Sequence, residues 1–76
     1  MELTGIQIKS MQSGSRTYDA IILKFNDMQF SKDLLSGPGG DRDIRRVKQH
    51  ADTLGIDVDC YEPRLQARIA EVMGRL

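Results

Sequence analysis

Apolar and polar residues alternate over the first part of the chain as they do in β-strands. Within residues 3–11, Ile6 and Ile8 share one face of an extended chain, and polar residues occupy the other face. This alternation predicts a strand that is buried on one side only. The next five residues, 12–16, are Gln-Ser-Gly-Ser-Arg, and this composition favours turns, so the strand is expected to end in a hairpin.

The most apolar run of the chain spans residues 17–25. Its short length and the β-branched pair Ile21 and Ile22 favour a strand over a helix. Apolar side chains fall on both faces of this run. We therefore expect it to lie inside the sheet, with a neighbouring strand on each side.

A third strand is predicted for residues 28–32, where the alternation returns with Met28 and Phe30 on the side expected to face the core. The dipeptide Asn26–Asp27 separates this strand from the preceding one. Both residue types tolerate the positive φ of a tight hairpin turn. Residues 3–32 are thus expected to form a three-stranded antiparallel meander.

The apolar period changes from that of a strand to that of an α-helix at Asp41. Asp41 suits the N-cap position and Gly55 suits the end of the helix. The preceding residues 36–40, Ser-Gly-Pro-Gly-Gly, are expected to form a flexible connection. The predicted core side of the helix, within an arc of about 80°, consists of Ile44, Val47, Ala51 and Leu54.

Residues 56–61 again alternate strictly and predict a fourth strand with one face in water, short enough to lie at an edge. Its inward residues are Ile56, Val58 and Cys60, and its outward residues are Asp57, Asp59 and Tyr61. Pro63 suits the first turn of a second helix. The apolar stripe of that helix comprises Leu65, Ile69, Val72, Met73 and Leu76.

The predicted order is therefore β-β-β-α-β-α: a three-stranded antiparallel meander, a helix, a fourth strand and a C-terminal helix. Seventy-six residues suffice for one small domain, 1–76, of the α+β class, in which both helices pack on one face of the sheet. A domain of this size has a thin core, so it leaves little room for an enclosed substrate cavity.

Composition narrows the function classes further. The formal net charge is zero, which argues against a dedicated nucleic-acid-binding domain, and aromatic residues make up only 5% of the chain. A single cysteine favours a reducing compartment. The first residues lack the apolar core of a signal peptide, and no run of about 18 apolar residues predicts a membrane span. We therefore expect a cytoplasmic protein without a membrane association.

Three arginines form the first candidate binding surface. Spacings of three, four and seven residues make them neighbours on the helix face opposite the core stripe. The face is formed by Arg42, Arg45, Arg46 and Gln49. Guanidinium groups bind phosphates and carboxylates in bidentate geometry, so this arginine face suits a nucleic-acid backbone or an acidic protein surface. The alternative is an ordinary solvated helix face, in which Asp41 pairs with Arg45.

The glycines Gly37, Gly39 and Gly40 are a second candidate, because glycine-rich loops before helices can bind phosphate through backbone N–H groups. The sequence matches neither the P-loop nor the dinucleotide-binding pattern. Asp41 and Asp43 also place negative charge where an anion would lie. A partner-contacting or flexible loop is therefore the preferred interpretation, and a phosphate site is the alternative.

Asp57, Asp59 and Tyr61 mark a possible second surface. The two carboxylates lie on the same side of the predicted strand and could bind Mg²⁺ if a third oxygen ligand were nearby. In element order alone, the chain is similar to the core of small metal-dependent nucleases. The Asp/Glu-x-Lys pair of such enzymes is missing, because Ile22 precedes Lys24 and Phe30 precedes Lys32 at that spacing. We therefore expect no metal site and no cofactor.

The sequence favours a non-enzymatic protein-interaction module that regulates or inhibits a partner protein. Its alternative is nucleic-acid binding through the arginine face, and a minimal hydrolase using the two aspartates is a third hypothesis. Neither His50 nor Cys60 has the neighbours of a catalytic residue. A homodimer is a further expectation, formed through the 57–61 edge or through the small residues of the last helix, which are Ala67, Ala70 and Gly74.

Overall fold

The computed structural model describes residues 2–74, and their architecture confirms the predicted α+β order. Four strands and two helices follow one another along the chain. Their bounds are β1 Leu3–Ser13, β2 Arg16–Phe25, β3 Gln29–Asp33, α1 Pro38–Leu54, β4 Val58–Asp59 and α2 Pro63–Gly74.

The strands form one sheet in the order β3-β2-β1-β4. The first three are antiparallel neighbours, and β2 lies inside the sheet as predicted. β4 lies at the edge and runs parallel to β1, with Ile6 opposite Val58 and Gln7 opposite Asp59. It contains only two residues, so the prediction of a strand over 56–61 was too long.

Both hairpin turns occur where the pattern of turn residues placed them. Gly14, between β1 and β2, has a φ of 61°, a value that glycine adopts without steric cost. The turn between β2 and β3 is closed by a hydrogen bond from the Phe25 N–H to the Met28 carbonyl oxygen (2.8 Å). Asn26–Asp27 forms this turn without a positive φ, contrary to the expectation for these residues.

The core lies between the sheet and the two helices, which cover the same face of the sheet. We call this the helix face. Its buried apolar cluster consists of Ile6, Ile8, Ile21, Leu34, Ile44, Ala51, Leu65 and Val72. Strand alternation places Ala20 and Ile22 on the opposite face, where both are also buried. Gln7 and Ser31 flank Ile22 in the register of the sheet.

Three apolar residues that were expected in the core are instead about half exposed. Met28 is 42% exposed, Phe30 is 54% exposed and Leu54 is 52% exposed. The buried cluster includes no residue of β3, so side chains on this edge strand lack a covering layer. Leu54 is the last residue of α1 and lies beyond the buried part of the helix. The predicted Leu76 position lies outside the described residues.

Helix α1 begins three residues earlier than predicted. Its N-cap is Gly37, with a φ of 85°, and Pro38 occupies the first turn, so Asp41 lies inside the helix. The helix ends as predicted at Gly55, which is left-handed. The Gly55 and Ile56 N–H groups donate to the carbonyl oxygens of Asp52 (3.3 Å) and Ala51 (3.0 Å), the two bonds of a Schellman cap.

Candidate functional site

The predicted arginine face is present on α1. Arg42, Arg46 and Gln49 are exposed, and Arg45 is half-buried. Within residues 2–74, no ion pair is formed by any of the three guanidinium groups. The anticipated partner of Arg45, the carboxylate of Asp41, instead accepts hydrogen bonds from Arg68 on α2.

The glycines before and within the first turn of α1 support the packing of its N-terminus. Gly39 is exposed, whereas Gly40 is buried, and a Cβ atom on Gly40 would overlap the carbonyl group of Leu35. Arg68 donates to that same carbonyl oxygen (2.6 Å) and to Oδ1 of Asp41 (3.2 Å). Of the predicted Gly37–Gly40 loop, residues 38–40 belong to α1. Arg68 joins α2 to the start of α1 through these two hydrogen bonds.

The second candidate surface lies at the β4 edge. Asp57, Asp59 and Tyr61 are all exposed. Asp59 lies beside Gln7 on the face opposite the helices. Across residues 2–74, no three side chains of His, Cys, Asp or Glu come together in a group that could hold a metal ion.

A groove that the sequence did not predict runs along one side of α1. It consists of two pockets of about 190 and 210 Å³, which share Leu23, Arg46 and Val47 as lining residues. The sheet supplies the floor of the groove and α1 supplies one wall. The apolar lining consists of Leu3, Ile6, Ile21, Leu23, Phe30 and Val47.

The helix wall of this groove follows helical spacing. Asp43, Arg46, Val47 and His50 line it at positions i, i+3, i+4 and i+7. These positions form one face of a helix, so the wall has the shape against which another helix packs. Arg46 therefore belongs both to the arginine face and to the groove.

The charges around the groove are not balanced. The Lys32 ammonium on β3 pairs with the Asp43 carboxylate on the helix wall at 3.0 Å, so these two charges offset each other. Arg46 has no such partner among residues 2–74. Arg42 and Arg45 lie on the adjacent part of the same helix. The rim of the groove next to α1 is consequently positive.

Phe30 supplies the aromatic part of the groove. Its ring meets the ring of Phe25 edge to face, with centroids 5.8 Å apart and planes inclined by 79°. More than half of Phe30 nevertheless remains in solvent. The exposed ring therefore adds apolar surface to the end of the groove that lies beside β3.

The sequence identified Arg46 but not the groove. The pattern of β3 predicted an inward Phe30, and nothing in the local pattern shows how far α1 extends across the sheet. One signal was present: Val47 belongs to the apolar stripe, yet charged or polar residues flank it at positions 43, 46 and 50. Such a mixed flank is typical of a helix side that is only partly covered.

Three titratable groups among residues 2–74 have shifted pKa values, and all three lie away from the groove: Asp19, Cys60 and Arg64, whose pKa is raised by its hydrogen bonds to Asp19. The hydrogen bonds from the Arg64 guanidinium lower the pKa of Asp19, and burial opposes this change. Burial raises the pKa of the Cys60 thiol. The Cys60 thiol packs beside the core, as its position in the alternating pattern predicted.

None of the helices formed by residues 2–74 is long and apolar enough to cross a membrane. No protein family, curated protein or solved structure matches the chain.

Proposed function

We propose that this chain is a non-enzymatic, cytoplasmic protein-interaction module that binds an amphipathic helix of a partner protein in the groove beside α1. By occupying that helix, the module would regulate or inhibit its partner. The observation that carries the proposal is the exposed apolar groove with a helix-shaped wall. A bound helix would lie beside α1 and cover Leu23, Val47 and Phe30.

Charge complementarity indicates which helices would bind. The rim next to α1 carries Arg46, and the neighbouring Arg42 and Arg45 extend the positive surface away from the groove. A ligand helix with acidic residues beside its apolar stripe would place carboxylates near these guanidinium groups. A ligand with basic residues at the same positions would be repelled.

The proposal can be tested with a panel of designed amphipathic peptides of ~15 residues, long enough for three to four helical turns. Each apolar stripe is made in an acidic and a basic version, so that only the flanking charge differs. We expect the acidic versions to bind more tightly in fluorescence anisotropy. We also expect amide NMR shifts to change along Leu23, Phe30 and Val47.

Surface variants of the protein supply the controls. Phe30→Ser and Arg46→Ala should weaken binding of the acidic peptides. Leu54→Ser should not, because Leu54 is similarly exposed but does not line the groove. Equal binding of acidic and basic peptides, or no binding by any member of the panel, would contradict the proposal.

Nucleic-acid binding is the second candidate function, and the three arginines without ion pairs among residues 2–74 favour it. Phosphate contacts would make the affinity fall steeply with salt. Arg42→Ala, Arg45→Ala and Arg46→Ala should then weaken binding to labelled duplex or single strands by similar factors, while Phe30→Ser leaves it unchanged. Because Phe30→Ser should weaken helix binding but leave nucleic-acid binding unchanged, this variant distinguishes the two functions.

A further inference from the structure

Among residues 2–74, the outer edge of β3 has no strand partner along its whole length, Gln29–Asp33. Hydrogen bonds at both ends of the β2–β3 ladder define which residues face outward. At one end, the Phe25 N–H donates to the Met28 carbonyl oxygen. At the other end, the Leu34 N–H donates to the Asp19 carbonyl oxygen at 2.8 Å. Bonded and non-bonded pairs alternate along an antiparallel ladder. The residues that turn their N–H and C=O groups away from β2 are therefore Gln29, Ser31 and Asp33.

Charged side chains normally protect such an edge from pairing with another strand. Here both charged residues of β3 are held by ion pairs within the same molecule. Lys32 pairs with Asp43 at 3.0 Å, and Arg16 pairs with Asp33 at 3.0 Å. β3 also contains no proline, and its ladder with β2 has no bulge. The edge thus lacks the usual obstacles to strand addition.

We propose that two copies of this chain form a homodimer by antiparallel pairing of their β3 strands. This proposal does not depend on the proposed function. The two-fold axis passes beside Ser31, so that Ser31 faces its own copy and Gln29 faces Asp33 across the axis. On the helix face, Phe30 lies opposite Lys32. The two sheets then become one continuous sheet with all four helices on the same side.

Charge and the length of the paired segment select this register over its neighbours. Outward-facing residues must meet outward-facing residues, so the alternatives shift the axis by one position, to Phe30 or to Lys32. Centring on Lys32 places the two ammonium groups opposite each other. Centring on Phe30 pairs only Gln29–Ser31 of the two strands and leaves Lys32 and Asp33 of each copy without a strand partner. Only the arrangement centred on Ser31 pairs all five residues of both strands and also keeps like charges, which destabilise strand pairs, out of directly opposed positions.

The other edge of the sheet does not offer an equivalent surface. β4 has two residues, and beyond it the Ser10 N–H of β1 already donates to the Glu62 carboxylate at 3.0 Å. Pairing through β3 therefore closes on itself as a two-fold dimer and does not continue into a fibre. It also brings the two Phe30 rings, one from each copy, to the same face beside the axis.

Cysteine crosslinking tests the register directly. In a Cys60→Ser background, Ser31→Cys should form a disulfide-linked dimer under mild oxidation. The Cα atoms of such a directly opposed, hydrogen-bonded pair are about 5.5 Å apart. Gln29→Cys is the matched control. Its two copies would lie about 13 Å apart along the strands, beyond the roughly 7 Å limit for a disulfide. Mixing Gln29→Cys with Asp33→Cys protein should restore crosslinking.

Sedimentation equilibrium of the unmodified chain tests association itself. A single short strand buries less surface than a stable interface of about 1,200 Å². We therefore expect the mass to rise from 8.6 kDa toward twice that value only as concentration increases. Ser31→Pro removes an outward N–H without removing a bond to β2, and should remain monomeric. Ser31→Lys is the alternative variant if the proline disturbs folding.

Two results would overturn the homodimer. The first is a monomeric mass up to about 1 mM, a concentration at which even weak interfaces associate. The second is crosslinking of Gln29→Cys as fast as Ser31→Cys, which would show that any dimer uses another surface or register. Neither result would bear on peptide binding in the groove.

Discussion

The guanidinium group of Arg64 donates two hydrogen bonds to the carboxylate of Asp19, at 2.7 and 2.9 Å. Arg64 lies in the first turns of α2 and Asp19 lies near the start of β2, so the pair joins two elements that are distant in sequence. The side chain of Asp19 is mostly buried, whereas that of Arg64 is mostly in solvent. This bidentate contact fixes where α2 begins relative to the sheet.

Asp19→Asn should lower the melting temperature by a few degrees at neutral pH and by less in acid. Because Arg64 lowers the pKa of Asp19 in the folded state, the ion pair stabilises the protein above the ordinary aspartate pKa of about 3.9. That stabilisation is lost as the pH falls through the lower pKa of the folded state. Thermal melts of the unmodified protein and of Asp19→Asn from pH 7 to pH 2 would measure how far their melting temperatures converge.

Asp33→Asn is the matched control for this pH series. Asp33 also pairs with an arginine, Arg16, at 3.0 Å, but through one oxygen and with both side chains at least half exposed. Such surface pairs contribute little to stability. The melting temperature of Asp33→Asn could instead fall with the same pH dependence and by as much as that of Asp19→Asn. That result would show that the buried position and bidentate geometry of Asp19 do not cause its effect on stability.

Gly40→Ala should destabilise the fold by roughly 1–3 kcal/mol, because the added methyl group overlaps the Leu35 carbonyl and the backbone must move. Gly39→Ala should instead stabilise it by about 0.5–1 kcal/mol. Its Cβ would meet no atom within 4 Å, and alanine loses less entropy in a helix than glycine. Urea unfolding of the two variants tests this contrast, and equal effects would contradict it.

Phe30→Ser should cost about 1 kcal/mol, because its ring is half exposed and loses mainly the edge contact with Phe25. Ile44→Ala should cost roughly 2–5 kcal/mol, since Ile44 is 0% exposed in the core. Urea unfolding of both variants would compare them. A loss for Phe30→Ser as large as that for Ile44→Ala would mean that Phe30 serves folding rather than binding.

The Cys60 thiol should react with Ellman's reagent several-fold more slowly in the folded protein than in denaturant at the same pH. Burial raises its pKa, so less thiolate is present, and the sulfur is also partly shielded by the core. Stopped-flow absorbance at pH 8 measures both rates. A folded-state rate equal to the denatured rate would contradict the half-buried position of this thiol.

The element order could be predicted because each element carries its own local signal. Strand alternation, the turn residues at 12–16 and the Gly55 stop all act within a few residues. The start of α1 could not be predicted from Asp41 alone. Proline and glycine at 38–40 resemble a loop, yet Pro38 suits a first turn and Gly40 is required by its contact with Leu35.

The candidate site was harder to predict because it depends on the relative placement of elements. Arg46 was identified from helical spacing alone. The groove beside it requires that α1 leave part of β2 and β3 uncovered, which is a tertiary property. Phe30 illustrates the difficulty. The alternation of β3 correctly predicted that its side chain lies on the helix face, but could not show that no helix covers it there.

The placement of β4 beside β1 predicts an order in which the parts of the chain fold. β1, β2 and β3 meet through tight turns, so their ladders close short loops and can form early. The outer edge of β1 must wait for residues such as Glu62, 52 positions beyond Ser10. Until the second half of the chain arrives, β1 is itself an unprotected edge. In amide exchange, we therefore expect β4 and the start of α2 to open together, before the meander does.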